Sequence, residues 1–222
     1  MEIKPVAYIR TDFKEKFGIP RQSGRVPSLK GQIIFEPEYR NPDAVRGITD
    51  FSHLWLIFGF STAKRGREAL TARPPRLGGN TRIGVFATRA PYRPNSMGLS
   101  VVKLEKVEID PNIGPVITVS GVDILDNTPI YDIKPYIPYA DSVEGAVGGF
   151  ADAMHTHALD VIFPQELLEI LPADKRDTVI DCLKDDPRPS YHDDDRVYSM
   201  KFADFDIHFT VSGNTLTVTG IN

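Results

Sequence analysis

Apolar and polar residues alternate along the first 135 positions in short runs that are rich in Val, Ile, Phe and Tyr. Six runs of strand length share this character: residues 3–10, 31–35, 54–60, 83–88, 99–109 and 116–122. The run 54–60 is apolar throughout, which is typical of a strand buried on both faces. Turns that contain Pro, Gly and Asn separate the later runs, so the pattern predicts consecutive β-strands.

The connections between these strands favour a barrel over a layered α/β fold. Asn41 followed by Pro42 is a typical helix start, and it predicts one short helix over residues 41–51. None of the predicted strands is followed by the long amphipathic helix that a parallel βαβ sheet requires. The sequence therefore predicts a mainly β fold, with a single sheet that closes, or nearly closes, into a barrel.

The last third of the chain has a different pattern. Residues 146–157 are mostly small or polar and predict a linker. Helices are expected over residues 164–171 and 174–185, with Asp174 as the N-cap of the second. Three alternating runs then predict an antiparallel meander: residues 197–203, 205–211 and 215–219. We therefore expect a barrel domain over residues 1–145 and a small α+β domain over residues 158–222.

The composition is that of an ordinary globular protein. Of 222 residues, 41% are hydrophobic and 25% are charged, and the net charge is −4, so bulk charge does not indicate a nucleic-acid partner. The single cysteine, Cys182, excludes an intrachain disulfide and fits a reducing compartment. The first residues lack the apolar core of a signal peptide, and the longest apolar run is too short to span a membrane. These features predict a soluble cytoplasmic protein.

Several common chemistries are disfavoured by the motifs. Neither a dinucleotide-binding glycine fingerprint nor a P-loop occurs in the chain. Of the five histidines only His155 and His157 are close in sequence, and they lack carboxylates at ligand spacing. We therefore expect no metal ion, because zinc sites need tighter grouping of ligands.

The strongest chemical signal is a basic window over residues 69–104. It contains no Asp or Glu in a chain that is acidic overall, and it holds six cations: Arg73, Arg76, Arg82, Arg89, Arg93 and Lys103. Its glycines and prolines suggest that the arginines are held on stiff loops. The planar fork of arginine suits phosphate and carboxylate groups, so the window predicts an anion site on a rigid frame. A solvated basic loop is the alternative reading.

A second polar cluster follows the last predicted barrel strand. Its members alternate with apolar residues: Asp123, Asp126, Tyr131, Asp132, Lys134 and Tyr136. In a barrel, such alternation places one set of side chains inside or at the rim. The acids could orient the arginines or accept a proton. An ordinary Asp132–Lys134 ion pair beside a turn at 127–129 remains open.

Long motifs distributed over nearly the whole chain resemble the TsaA-like (TrmO) family of tRNA methyltransferases. Those of the barrel domain are Pro-Arg-Gln at 20–22, Ala-Val-Arg-Gly at 44–47, Phe-Ser-His-Leu-Trp at 51–55, Arg-Pro-Pro-Arg-Leu-Gly-Gly at 73–79, Gly-Val-Phe-Ala-Thr-Arg at 84–89, Arg-Pro-Asn at 93–95 and Asp-Ile-Lys-Pro-Tyr at 132–136. A further motif, Asp-Pro-Arg-Pro, lies in the tail at 186–189. The resemblance implies an S-adenosylmethionine-dependent enzyme that methylates N6 of threonylcarbamoyladenosine, 3′ of the anticodon in tRNA. It also implies a β-barrel and a homodimer with a small C-terminal domain.

Carried over position by position, the resemblance implies a set of site residues. Those implied for the cofactor are Pro20, Arg21, Gln22, Ser61, Thr62, Arg89, Leu99, Val122, Asp123, Ile124 and Leu125. Our own hypothesis adds the substrate-binding residues: the carboxylate and phosphates of the substrate are expected to meet Arg73, Arg76, Arg93, Asn95 and Lys134. Two departures from the family pattern concern loop geometry, because Ser96-Met97 replaces Pro-Ile and Asn127 replaces Gly. Asn tolerates positive φ better than other non-glycine residues, so the second turn can be kept.

The acceptor nitrogen is a poor nucleophile while it keeps its proton. Our hypothesis is that Asp126, Asp132 or Tyr136 accepts that proton as the methyl group arrives. Two other functions remain open: a non-catalytic module that binds RNA or another anion, and a methyltransferase with a different substrate. Cofactor binding separates the first from the enzyme, and nucleoside analysis of tRNA separates the second.

Overall fold

The computed structural model describes residues 2–62, 70–74, 77, 81–154, 158–188 and 196–222. Twelve strands occur in these ranges: β1 Ala7–Thr11, β2 Lys30–Phe35, β3 His53–Gly59, β4 Thr71–Ala72, β5 Ile83–Gly84, β6 Met97–Asp110, β7 Gly114–Ser120, β8 Thr128–Pro135, β9 Asp160–Ile162, β10 Tyr198–Phe202, β11 Phe205–Ser212 and β12 Thr215–Ile221. Three α-helices accompany them: α1 Pro138–Asp141, α2 Gln165–Leu168 and α3 Ala173–Lys184.

Six of the strands form a closed barrel in the order β1-β2-β7-β6-β3-β8. Every neighbouring pair is antiparallel, and β8 closes the barrel by pairing with β1, where Ala7 lies opposite Ile130. Closure leaves no unpaired edge along the sheet. The barrel confirms the mainly β prediction.

Alternation along the strands explains how the barrel interior is filled. In β3, Leu54, Leu56 and Phe58 are buried, whereas the intervening Trp55 and Ile57 are half-buried. Successive side chains of a strand point to opposite faces of the sheet, so the first set lies in the barrel core. Its neighbours are only partly covered, so the expectation of burial on both faces holds for one face of β3.

The predicted helix over residues 41–51 is wrong. The structure has two 3₁₀ turns instead, Pro42–Val45 and Ile48–Asp50. Asn41 caps the first turn as expected, because its side-chain oxygen accepts a hydrogen bond from the backbone N–H of Asp43 at 3.0 Å. Gly47 then adopts a φ of 82°, a left-handed conformation that interrupts a right-handed helix.

The C-terminal sheet, which we define as β9–β12, has the order β10-β11-β12-β9. Its antiparallel part is the predicted meander, but β9 was missed; β9 pairs with β12 in parallel. The predicted N-cap of the second helix is also wrong. The residue before α3 is Pro172, and Asp174 lies within the first turn of the helix.

The loop between β1 and β2, residues 12–29, packs against the C-terminal sheet. Phe13 meets Phe202 edge to face at 5.3 Å between ring centroids, and Phe17 stacks on Tyr198 at 6.3 Å. Gly18 brings its backbone so close to Met200 that an added Cβ would lie 2.6 Å from the thioether. The buried residues of both sheets thus form one continuous hydrophobic cluster.

Ion pairs surround this contact. Lys175 lies 2.6 Å from Asp12, and Lys201 lies 2.7 Å from Glu15. Both pairs are partly or largely solvent-exposed, so the apolar contact dominates the energetics of docking. Within the described ranges, no helix is long and apolar enough to cross a membrane.

Candidate functional site

A cavity of about 730 Å³ opens at one end of the barrel. Its walls come from four parts of the chain that converge there: the β1–β2 loop, the end of β3, the segment from 86 to the start of β6, and the connection from β7 to β8. The volume lies within the roughly 300–1,000 Å³ that small-molecule sites occupy.

Most of the site residues predicted from the sequence line this cavity. Twelve of them do so: Pro20, Arg21, Gln22, Ser61, Thr62, Arg89, Arg93, Asn95, Leu99, Asp123, Ile124 and Leu125. Six lie outside the lining: Arg73, Val122, Asp126, Asp132, Lys134 and Tyr136. Arg76 lies outside the described residues. The basic window is therefore divided, with Arg89 and Arg93 at the cavity and its other described cations elsewhere.

The lining also contains residues that the sequence analysis did not assign to the site. Among them are Lys16, Phe58, Phe86, Ser100 and Thr128. Ser100 could have been identified from the sequence pattern, because it is a polar residue on the face of β6 that alternation predicts to be buried. The structure buries Ser100 and exposes its neighbour Leu99. Phe86 belongs to the motif at 84–89, but the apolar pattern did not distinguish it from a core residue; the structure exposes it on the 3₁₀ turn Val85–Ala87.

A hydrogen-bonded bridge joins two walls of the cavity. The side-chain amide of Gln22 donates to the backbone carbonyl of Arg21 at 2.6 Å, and its carbonyl oxygen accepts from the guanidinium of Arg89 at 2.5 Å. The β1–β2 loop is thereby fixed to the segment before β6. Arg89 keeps further N–H donors for a ligand, because a guanidinium has five.

The Arg93 loop is also held by internal contacts. The guanidinium of Arg93 donates to the carbonyl of Thr88 at 2.9 Å, and the Ser96 hydroxyl donates to the carbonyl of Arg93 at 3.2 Å. Ser96 has a φ of 42° and forms a turn that the backbone N–H of Phe60 caps at 2.9 Å. The Ser-Met replacement therefore still gives an ordered turn.

Asn127 takes a φ of 58°, which confirms that the Asn-for-Gly departure preserves a left-handed turn. Its backbone N–H donates to the carbonyl of Ile9 at 2.8 Å, so the turn is tied to β1. The β7–β8 connection that precedes it carries the Asp123 carboxylate into the cavity lining.

Among the described residues that line the cavity, Asp123 is the one with an acidic side chain. Burial raises the pKa of its carboxyl group, while hydrogen bonds to the Ser100 hydroxyl and the Ser23 backbone, with the positive charge of Arg89, partly offset the rise in pKa. The Ser100 hydroxyl donates to one carboxylate oxygen, Oδ1, at 2.6 Å. A carboxylate held in this way is oriented and partly dehydrated, which suits proton transfer.

The three groups predicted to accept a proton lie outside the cavity lining and make contacts elsewhere. Asp126 accepts a hydrogen bond from the backbone N–H of Thr11 at 3.0 Å. Asp132 forms the ion pair with Lys134 that remained open in the sequence analysis, at 3.3 Å on the surface. The ring of Tyr136 packs near Trp55, with 6.0 Å between centroids.

The arrangement suits a medium-sized organic ligand with an anionic group. One wall offers guanidinium groups, the β7–β8 connection offers a carboxylate and backbone groups, and aliphatic and aromatic side chains fill the space between them. Among the residues that the structure describes, no group of three or more His, Cys, Asp or Glu side chains could hold a metal ion.

Two family models match the chain. Residues 8–142 match the tRNA-methyltransferase O N-terminal domain, and residues 156–222 match the TrmO C-terminal domain. Together the two matches cover both the barrel and the C-terminal sheet.

Individual proteins are similar over nearly the full length. A putative S-adenosylmethionine-dependent methyltransferase of Pseudomonas aeruginosa is 40% identical over 93% of this chain and 91% of its own length. The tRNA (adenine(37)-N6)-methyltransferase of Escherichia coli is 37% identical over 95% of this chain and 93% of its own. The crystal structure of TrmO from Pseudomonas aeruginosa superposes with a TM-score of 0.80 at 33% identity, covering 100% of this chain and 98% of that one.

Proposed function

This chain belongs to the TrmO family of tRNA methyltransferases, and we propose that the cavity at the end of the barrel is its catalytic site. The enzyme transfers a methyl group from S-adenosylmethionine to N6 of threonylcarbamoyladenosine, 3′ of the anticodon in tRNA. The observation that carries this assignment is the convergence of Arg89, Gln22 and Asp123 on one cavity in a chain of this family.

The lining fits the cofactor chemically. S-adenosylmethionine, when bound, supplies an electrophilic methyl group on a sulfonium, and it carries a carboxylate, a ribose and an adenine. Arg89 is the residue that we assign to the carboxylate, because a guanidinium can donate two parallel hydrogen bonds. Leu99 and Phe58 offer apolar surface to the adenine, and the backbone of residues 123–125 offers polar groups at its edge.

Asp123 is the proton acceptor that we propose for the acceptor nitrogen. Our initial hypothesis named Asp126, Asp132 and Tyr136, but all three lie outside the cavity lining. Asp123 lines it, and the Ser100 hydroxyl orients its carboxylate by donating to Oδ1. An oriented carboxylate at the reacting centre lowers the barrier both by accepting the proton and by stabilising the charge that develops.

The RNA contacts divide into two groups. Arg93 and Asn95 lie at the cavity, where the threonyl carboxylate of the substrate would be within reach of a guanidinium. Arg73, Arg76 and Lys134 remain proposed contacts to the phosphates of the anticodon arm. Arg73 and Lys134 lie outside the cavity lining, and Arg76 lies outside the described residues. Such phosphate contacts position a nucleic acid without reading its bases.

We also propose the larger organisation of the enzyme. The two family matches support a catalytic domain over residues 1–145 and a C-terminal domain over 158–222. A homodimer, as the resemblance implies, is supported by exposed apolar side chains beyond the barrel: Tyr139, Val143, Val147 and Phe150. A tRNA substrate supports the cytoplasm as its compartment.

Phe86 is expected to stack on a nucleotide of the bound RNA. Its ring is 77% exposed at the mouth of the cavity, in the segment that carries Arg89 and Arg93. Sequence-specific RNA recognition often unstacks bases onto aromatic side chains, and one such contact contributes about 1–3 kcal/mol. Phe86→Ala should therefore weaken binding of an anticodon stem-loop by about that amount, as measured by fluorescence anisotropy.

Two further variants separate stacking from general apolar contact. Phe86→Tyr keeps the aromatic face and should bind like the wild type, whereas Phe86→Leu keeps the bulk and should bind like the Ala variant. Equal affinity for all four proteins would remove Phe86 from the RNA site.

Calorimetric titration with S-adenosylmethionine tests the cavity assignment. Wild-type protein should bind saturably, and Arg89→Ala should bind about 10- to 100-fold more weakly, because a hydrogen bond to a charged group contributes roughly 1.5–3 kcal/mol. Arg82→Ala is the matched control, since Arg82 is an exposed arginine of the same window outside the cavity lining. If Arg89→Ala and Arg82→Ala lost the same affinity for the cofactor, the loss would come from the change in net charge and would not support the cavity assignment.

Nucleoside analysis of tRNA completes the test. N6-methylated threonylcarbamoyladenosine should form only with active protein and cofactor. RNA binding without cofactor binding would favour a non-catalytic module. Cofactor binding with unchanged tRNA nucleosides would favour a methyltransferase with another substrate.

A further inference from the structure

The residues that follow α3 form a tightly bonded turn, residues 185–188, which we call the Asp-Pro-Arg turn. Asp186 has a φ of 52° and is buried. Its carboxylate accepts hydrogen bonds from three donors of Arg188: the backbone N–H at 3.3 Å, Nε at 2.9 Å and Nη2 at 3.1 Å. These bonds fix the turn in one shape, so the directions of its backbone carbonyls are fixed as well.

Arg21 binds to the backbone of this turn. Its Nη2 donates to the carbonyl oxygen of Asp186 at 3.4 Å and to that of Arg188. Arg25 forms an ion pair with Asp185 beside it, and both of these side chains are largely buried. The guanidinium of Arg21 is therefore anchored in the C-terminal domain, although the residue lines the cavity.

The residues next to Arg21 connect this anchor to the cofactor site. Gln22 donates to the carbonyl of Arg21 and accepts from Arg89. The backbone of Ser23, the next residue, lies near enough to the Asp123 carboxylate to work against the rise in its pKa. Consecutive residues of one loop thus reach the C-terminal domain, the proposed cofactor anchor and the surroundings of the proposed proton acceptor. A change in the path of this loop would move all three.

We infer that Asp186 and Arg188 are positioning residues for the cofactor site, although both belong to the C-terminal domain. Their mutual hydrogen bonds present two carbonyls to Arg21, and Arg21 sets the position of Gln22 and hence of Arg89. A buried ion pair contributes little net stability, because desolvation offsets its attraction. The Asp186–Arg188 pair acts here through geometry, because it fixes the Asp-Pro-Arg turn to which the β1–β2 loop is hydrogen-bonded. The inference rests on the proposed function, because it names a support for that same site.

Steady-state kinetics on Arg188→Ala and Asp186→Asn tests the inference. Both variants should raise the KM for S-adenosylmethionine about five- to tenfold, and kcat at saturating cofactor should stay within about twofold, because the loss of one supporting hydrogen bond weakens positioning without removing a reacting group. Asn tolerates a positive φ, so Asp186→Asn carries the test if Arg188→Ala fails to fold. Arg188→Lys should not restore the wild-type KM, since an ammonium cannot reproduce the planar fork.

Two control variants separate positioning from stability. Val218→Ala shortens a buried side chain of the C-terminal sheet, so it should lower the melting temperature and leave the KM for the cofactor unchanged. Lys201→Ala removes a solvent-exposed ion pair with Glu15, which joins the C-terminal sheet to the β1–β2 loop. This variant should change neither the melting temperature nor the KM for the cofactor.

An unchanged KM in folded Arg188→Ala or Asp186→Asn would overturn the inference and leave the proposed function intact. A KM that rises equally in Val218→Ala would also overturn it, because loss of stability would then suffice. Failure of the wild type to bind the cofactor would overturn the inference and the proposed function together.

Discussion

Asp123→Asn is expected to lower the rate of methyl transfer about 10²- to 10⁴-fold, which is the contribution typical of a positioned general base. Asn has almost the same shape as Asp, and its side-chain oxygen can still accept the hydrogen bond of Ser100, so the cavity should keep its form. It cannot accept a proton at neutral pH. Single-turnover kinetics with bound cofactor and tRNA would measure the chemical step directly.

The pH dependence supplies an independent check. The pKa of Asp123 is raised by burial, so the wild-type rate should fall on acidification at a higher pH than for a solvent-exposed aspartate. The residual rate of Asp123→Asn should lack this dependence. Asp126→Asn decides between the two assignments, since a rate loss confined to that variant would return the proton acceptor to Asp126.

Phe202→Ala is expected to lower the free energy of unfolding by about 3–5 kcal/mol, the usual effect of removing a fully buried aromatic ring. Phe202 is 0% exposed and packs edge to face on Phe13 of the β1–β2 loop. Because the ring belongs to the core shared by both sheets, barrel and C-terminal sheet should unfold in one transition. Urea unfolding followed by circular dichroism would measure the change.

The exposed Phe86 offers a matched comparison for this experiment. Phe86→Ala removes the same side chain from the surface and should change the free energy of unfolding by less than about 0.5 kcal/mol. Two separate transitions in the Phe202 variant, with the barrel as stable as in the wild type, would contradict a shared core.

Five of the six barrel strands could be predicted, because the residue types that mark a strand are local in sequence. The strand β8 was not predicted, and the predicted strand over residues 83–88 is wrong: it is the two-residue strand β5, outside the barrel, followed by a 3₁₀ turn. In the stretch that became β6, apolar residues alternate with polar ones, and the structure buries Ser100 and Val102 on the same face. The helix over residues 41–51 failed because Gly47 was compatible with a helix in sequence but takes a left-handed φ in the fold. β9 was missed because a three-residue strand gains its stability from pairing with β12, which is distant in sequence.

Part of the site could be predicted as well, because several of its residues lie in motifs that are local in sequence. Long motifs pointed to Arg89 and Pro20–Gln22, and the fold brings them to one cavity. The choice of proton acceptor stays a prediction: residues 123 and 126 are equally acidic in sequence, and the fold places Asp123, not Asp126, in the cavity lining. The anchor of Arg21 in residues 185–188 had no local signal, since its partners are about 165 positions away.

The β1–β2 loop leaves the barrel, packs its buried side chains against the C-terminal sheet and returns to the barrel. Because these side chains come free only when the loop and the C-terminal sheet separate, the buried part of the loop should exchange its backbone amides with solvent more slowly than an ordinary surface loop. The wall of the cavity that it forms is consequently ordered before any ligand arrives. Little conformational entropy remains to be lost there on binding, and the affinity of the site benefits from that preorganisation.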